Sequence, residues 1–151
     1  VTTRRMNGNL SAVSTLVTAL VLAAAPSALA STEAGPSAAP WANDPFDVCS
    51  QDCVLGGAWG TVIWGNRTAT VQGGVADWTT VGTTVHFEAF AGSTKIDTES
   101  RGVVNSSAYG EKPYNFVIGN PDLPGGIDRV RITVCTPSPT NCGQQFNAVR
   151  N

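Results

Sequence analysis

The chain has one histidine, one methionine and little charge of either sign, only 13% of its 151 residues being Asp, Glu, Lys or Arg. A single imidazole excludes a histidine-rich metal array. A net charge of -2 and a sequence pI near 5.2 exclude a generic cationic nucleic-acid binder. There is no G-x-S-x-G, no Ser-x-x-Lys and no glycine-rich phosphate loop, so no motif calls for a cofactor and none is expected. Nor does any window sustain the 3.6-residue apolar period of a helix, because glycine or proline interrupts nearly every stretch. What is present is 42% hydrophobic residues over a length that suits one globular domain.

Residues 1–30 read as an address. Arg4 and Arg5 precede an uncharged run from Leu10 to Ala25, and Ser27-Ala28-Leu29-Ala30 offers the small residues that a signal peptidase reads. The run is shorter than the ~20 apolar residues of a membrane span. It is also diluted by Ser11, Ser14, Thr15 and Thr18, and stops at Pro26. The expectation is a cleavable secretory signal cut after Ala30, hence a secreted, extracellular product with no membrane segment. The general secretory route is favoured over the twin-arginine one, since Asn7 and Gly8 stand where the latter prefers large apolar residues. Cleavage removes two basic residues and no acidic one, making the remainder more acidic. Residues 31–45, rich in Ser, Ala, Pro and Gly, cannot bury enough surface to offset their own ordering and read as a flexible lead-in to a domain spanning 46–151.

Cys49, Cys53, Cys135 and Cys142 all lie beyond the signal. An even count in a small exported chain reads as disulfides rather than zinc ligands. Three pairings are possible and the sequence does not choose among them; the two local ones, Cys49–Cys53 and Cys135–Cys142, are favoured. Chain entropy assigns such short loops roughly 2–2.5 kcal/mol each, so local staples restrain fraying ends more than they hold a fold together.

The domain reads as strands. Trp59–Trp64 and Arg67–Val71 flank Gly65-Asn66, two residues suited to a tight hairpin turn. That turn would pair Trp64 with Arg67, Val62 with Ala69 and Gly60 with Val71 on a core face, and lay Arg67 across Trp64. In Thr83–Phe90, Val85, Phe87 and Ala89 oppose Thr84, His86 and Glu88; in Arg129–Cys135, Val130, Ile132 and Val134 oppose Arg129, Arg131 and Thr133. Further strands are expected at Ser93–Asp97, Thr98–Val104, Tyr114–Ile118 and Gln144–Val149. About seven short strands between turn residues predict an all-β, immunoglobulin-like antiparallel β-sandwich, with a small β-barrel as the alternative.

Trp64-Gly65-Asn66-Arg67, the run from Phe87 to Asp97, Gly125-Gly126-Ile127-Asp128-Arg129-Val130 and the Cys135/Cys142 hairpin together resemble a group of small secreted proteins of actinomycetes with no assigned function. The resemblance implies export and an all-β fold and carries over no site residue. Asn66-Arg67-Thr68 and Asn105-Ser106-Ser107 fit a glycosylation pattern, which means little in a bacterium.

Several constellations are candidates for function. His86 and Glu88, two apart on a strand, share a face as an acid–base pair would, with Arg129 or Arg131 able to stabilise negative charge; a polar, solvated sheet face is the favoured reading of them. Asp97 with Glu99 offers two carboxylates. Asp44, Asp47 and Asp52, and Asn120, Asp122 and Asp128, offer oxygen ligands without the spacing of a calcium loop, so no metal is expected. Trp59 falls off the presumed core face and Trp78 sits at a strand end, so both are candidates for an exposed platform for sugar rings or a protein partner. Pro137 and Pro139 would stiffen a loop Thr136–Asn141 closed by Cys135 and Cys142, a pre-organised surface of the kind an inhibitor uses. The leading expectation is a monomeric, non-enzymatic extracellular binding module whose ligand is a protein or a cell-wall polysaccharide. An inhibitor of an extracellular hydrolase and a small ribonuclease-like hydrolase follow.

Overall fold

The structure, a computed structural model, describes residues 41–104 and 109–151. The signal segment, residues 31–40 of the lead-in and the Asn105-Ser106-Ser107 pattern lie outside the described residues. The described chain is all-β. Its strands are β1 (Asp44–Cys49), β2 (Gly56–Trp64), β3 (Ala69–Asp77), β4 (Thr83–Ala91), β5 (Thr94–Val103), β6 (Gly110–Ile118), β7 (Arg129–Cys135) and β8 (Phe146–Val149), with one 3-10 turn at Gln51–Cys53. They form two antiparallel four-stranded sheets in the orders β1-β2-β3-β6 and β5-β4-β7-β8. Each sheet ends on two edge strands, so no barrel closes. The architecture is a β-sandwich whose first three strands meander within one sheet.

Alternation builds the core. Val62, Trp64, Ala69, Val71 and Ile118 of the first sheet meet Val85, Phe87, Val130, Ile132 and Val134 of the second, all of them buried. Phe87 stands at the centre, with edge-on contacts to Phe46, Tyr114 and Phe116 at centroid distances of 6.3, 5.4 and 5.0 Å. Tyr114 reaches across Gly73 in a row it shares with Gly60 and Phe46, where a Cβ on Gly73 would strike the Trp59 carbonyl. Its hydroxyl donates to that carbonyl at 3.0 Å. Burial pushes the Tyr114 phenol well above its ordinary range, so it stays protonated and keeps donating.

The β2–β3 hairpin corrects the expected turn. Trp64 pairs with Ala69 and Val62 with Val71, and the loop holds four residues, closed by the Gly65 amide donating to the Thr68 carbonyl at 2.8 Å. Positive φ, which a primed two-residue turn demands, is absent at Gly65 and Asn66. Distant chain dictates the loop instead: the Ile127 amide donates to the Arg67 carbonyl at 3.1 Å, Arg67 Nη1 donates to the Pro121 carbonyl at 2.9 Å, and Arg150 Nη1 donates to the Asn66 carbonyl at 2.9 Å. Arg67 therefore points away from Trp64, whose indole N–H donates to Asp44 at 2.7 Å. The slip is two residues, so apart from Arg67, which leaves the strand, every side chain keeps its face. The expected strands at Ser93–Asp97 and Thr98–Val104 are one strand, β5, and β1 begins at Asp44, inside the expected lead-in.

All four edges carry features that discourage pairing with another chain. Pro45 lies in β1 and Pro113 in β6, and β8 is four residues long. On β5 the residues turned toward the core layer include charged ones: Arg101 stacks over Phe116 at 4.2 Å and pairs with Glu99 at 2.7 Å, and Asp97 accepts from the Gly119 amide at 2.9 Å.

One buried carboxylate joins the sheets. Asp77, fully buried, accepts from the Thr79 hydroxyl at 3.1 Å, the Gly82 amide at 3.0 Å and the Thr83 hydroxyl at 3.2 Å. Thr83 Oγ1 in turn lies 2.8 Å from Thr136 Oγ1. Asp77→Ala would leave the buried Gly82 amide without its acceptor and cut the link from β3 to Thr83, so it is expected to lower stability by about 2–4 kcal/mol. Urea unfolding reads this as a lower midpoint at unchanged slope; a loss below ~0.5 kcal/mol would contradict the role.

Candidate functional site

The outer face of the first sheet carries the most distinctive surface. Parity turns Trp59 outward from β2, and the register sets it in one row with Asp47, Gly74 and Pro113. The Trp59 ring lies flat over Gly74, where a Cβ would come within 2.8 Å of Cζ2. Trp78 follows β3 directly, anchored by its amide donating to the Leu55 carbonyl at 3.0 Å. It folds back over Gly57, where a Cβ would lie 3.1 Å from Cη2. Gly57 pairs with Ala76 in the adjacent row. Both tryptophans remain 37% exposed. Two indoles thus rest on a floor of Gly57 and Gly74, residues small enough to let rings lie against a sheet. Exposed Gln72 and Asn115 pair across strands on the same face.

The loop after β7 is separately built. Cys135–Cys142 closes it, and the Thr136 amide donates to the Asn141 carbonyl at 2.8 Å. Pro137, Ser138 and Pro139 stand exposed at its tip. Ser138 Oγ lies 3.0 Å from His86 Nε2, which ties the loop to the outer face of the second sheet.

His86 and Glu88 share that face as expected, but their partners differ. Glu88 takes Arg131 through Nε at 2.7 Å and Nη2 at 2.6 Å, and Lys95 Nζ at 3.0 Å. Partial burial alone would raise its pKa; the hydrogen bonds and charges of Lys95 and Arg131 outweigh that and hold the carboxyl below its ordinary range. A carboxylate clasped by two cations is a poor proton acceptor. Arg129 and Arg131 sit over the Phe90 ring at 4.2 and 4.9 Å, covering an apolar side chain that breaks the strand's parity. Two of the oxygen ligands raised by the sequence serve local structure: the Asp128 carboxylate accepts from the Gly92 amide at 2.7 Å and the Asn120 side-chain oxygen from the Asp122 amide at 2.9 Å.

Sequence reasoning missed a groove. Both disulfides have the favoured local pairing, and both border one open groove of about 640 Å³ at the end of the sandwich where β1 and β7 finish. Val48 and Phe146 line it beside the amides of Gln51, Gln144 and Gln145. Gly143 joins its two walls, since a Cβ there would strike the Cys49 carbonyl. No sequence signal pointed to it, because its walls lie some ninety residues apart in the chain.

No family model, curated protein or solved structure matches this chain.

A carboxyl held below its ordinary value stabilises the fold above that value and loses the contribution as pH falls through the lowered one. Glu88→Gln is expected to cost about 0.2–1 kcal/mol at neutral pH, with wild type and variant drawing together as pH falls from the ordinary glutamate value of 4.5 through the lowered one. Paired unfolding curves on either side of that value check this; a pH-independent gap would contradict it.

Proposed function

We propose that this chain is a secreted, non-enzymatic binding module that holds an extracellular polysaccharide against the outer face of its first sheet. The observation that carries the reading is the pair of half-exposed indoles lying on Gly57 and Gly74. A protein core would bury such rings, whereas pyranose rings present flat C–H faces that stack on them. Exposed amide groups beside an aromatic surface supply the hydrogen bonds that sugar hydroxyls need. Export agrees with two disulfides, which persist in oxidising compartments. Among the described residues no helix is long and apolar enough to cross a membrane.

A second reading, inhibition of an extracellular hydrolase, is favoured by the exposed Pro137-Ser138-Pro139 tip inside its disulfide-closed loop. A ribonuclease-like hydrolase on His86 and Glu88 receives less support, because Glu88 is engaged by Lys95 and Arg131.

The test is retention on insoluble polysaccharide. Trp59→Ala and Trp78→Ala are each expected to lower it about tenfold, the scale of losing one anchoring aromatic, while Pro137→Gly/Pro139→Gly leaves it unchanged. Parental retention by the doubly substituted tryptophan variant would overturn the reading. Loss of a tight hydrolase complex on the proline substitutions would replace it with the inhibitor.

A further inference from the structure

We infer that the polysaccharide site continues past the tryptophans into the groove between the disulfides, and that it takes a linear, uncharged chain long enough to occupy both. This rests on the binding function proposed above and extends it to ligand length and charge.

Continuity comes from shared residues. Asp47 stands beside Trp59 in the sheet register and also lines the groove. Cys49 pairs with Gly57, the glycine beneath Trp78, and lines the groove as well. The groove therefore opens at the border of the aromatic platform. Strand spacing and rise put Gly57 and Gly74 roughly 8 Å apart on the platform, room for nearby rings of one chain. A chain lying across both indoles and past Asp47 reaches the groove over the β1 edge.

The lining sets the chemistry. Gln51 and Gln144 each offer a carbonyl oxygen and an NH2 group, able to accept from and donate to the same sugar hydroxyls, and Gln145 offers its NH2 while its oxygen accepts from Arg131 Nη1 at 3.5 Å. Among the lining residues there is a carboxylate, Asp47, and no lysine or arginine. A uronate or phosphate polymer would meet like charge at the junction and no counter-charge within, whereas a neutral chain meets neither penalty. The walls are fixed by the disulfides and by the contact of Gly143 with the Cys49 carbonyl, so little ordering accompanies binding.

The experiment is calorimetric titration of the disulfide-bonded protein with β-1,4-linked glucose and N-acetylglucosamine oligomers, dimer to hexamer, and with a galacturonic-acid hexamer. One of the two neutral series is expected to gain about tenfold in affinity between trimer and hexamer, and which one does so identifies the sugar. Gln51→Ala/Gln144→Ala, at exposed positions, should lose that gain and leave trimer affinity and the thermal midpoint unchanged. The galacturonic-acid hexamer should bind at least about tenfold more weakly. Affinity independent of length, or a hexamer gain that survives the glutamine substitutions, would remove the groove while leaving the platform in place. Equal or tighter binding of the acidic hexamer would remove the charge assignment. Failure of every oligomer, together with failure of insoluble polysaccharide to retain the wild type, would remove the platform and the groove together.

Discussion

The structure depends on the inward stacking of Phe87. Its ring meets Phe46 from one edge strand of the facing sheet and Tyr114 and Phe116 from the other, so one side chain spans the width of the opposite layer. Everything on the outer faces follows from it by parity. Once Val85, Phe87 and Ala89 point inward, His86 and Glu88 must point out. Once Val62 packs beneath them, Trp59 must point out on the other side. The polar network of Asp77, Thr83 and Thr136 reinforces this at one end of the sandwich, where hydrophobic layering alone would leave the sheets free to splay.

Glycine does opposite work on the two faces of the first sheet. On the inside, Gly60 and Gly73 face each other in the row between Phe46 and Tyr114, and a Cβ on either would strike the neighbouring backbone, so the two strands approach there as only glycine allows. On the outside, Gly57 and Gly74 provide a floor on which indoles lie rather than stand. Placing a half-exposed Trp on glycine limits how far it can move, and a held ring loses less entropy on meeting a ligand. Packing and candidate function thus draw on the same residue type at neighbouring positions of β2 and β3.

Much of this was legible in the chain. The alternation of β4 and β7 is plain in the sequence, and Trp59 could be assigned outward even with the wrong hairpin register, because the error was two residues and face depends only on odd or even. The register itself was not legible. It is set by Ile127, Pro121 and Arg150 gripping the Asn66–Arg67 tip, and no local pattern records partners that far away. Strand β5 was obscured for another reason: its core-facing positions include Asp97, Glu99 and Arg101, so the apolar period is missing where the edge is guarded by charge. A bulge opposite Ala89 and Phe90 breaks the alternation again. The favoured disulfide pairing is the one found, yet the groove between the two staples depends on Gly143 meeting Cys49, a contact invisible until the sheets are stacked.

The most direct measurement is a map of indole N–H resonances during titration with a soluble β-linked oligosaccharide. Trp64, bonded to Asp44, and Trp41, beneath Arg150, serve as internal references. The account predicts that the Trp59 and Trp78 signals move with saturating ligand while those of Trp41 and Trp64 stay. All four indoles unmoved at saturating ligand would contradict it.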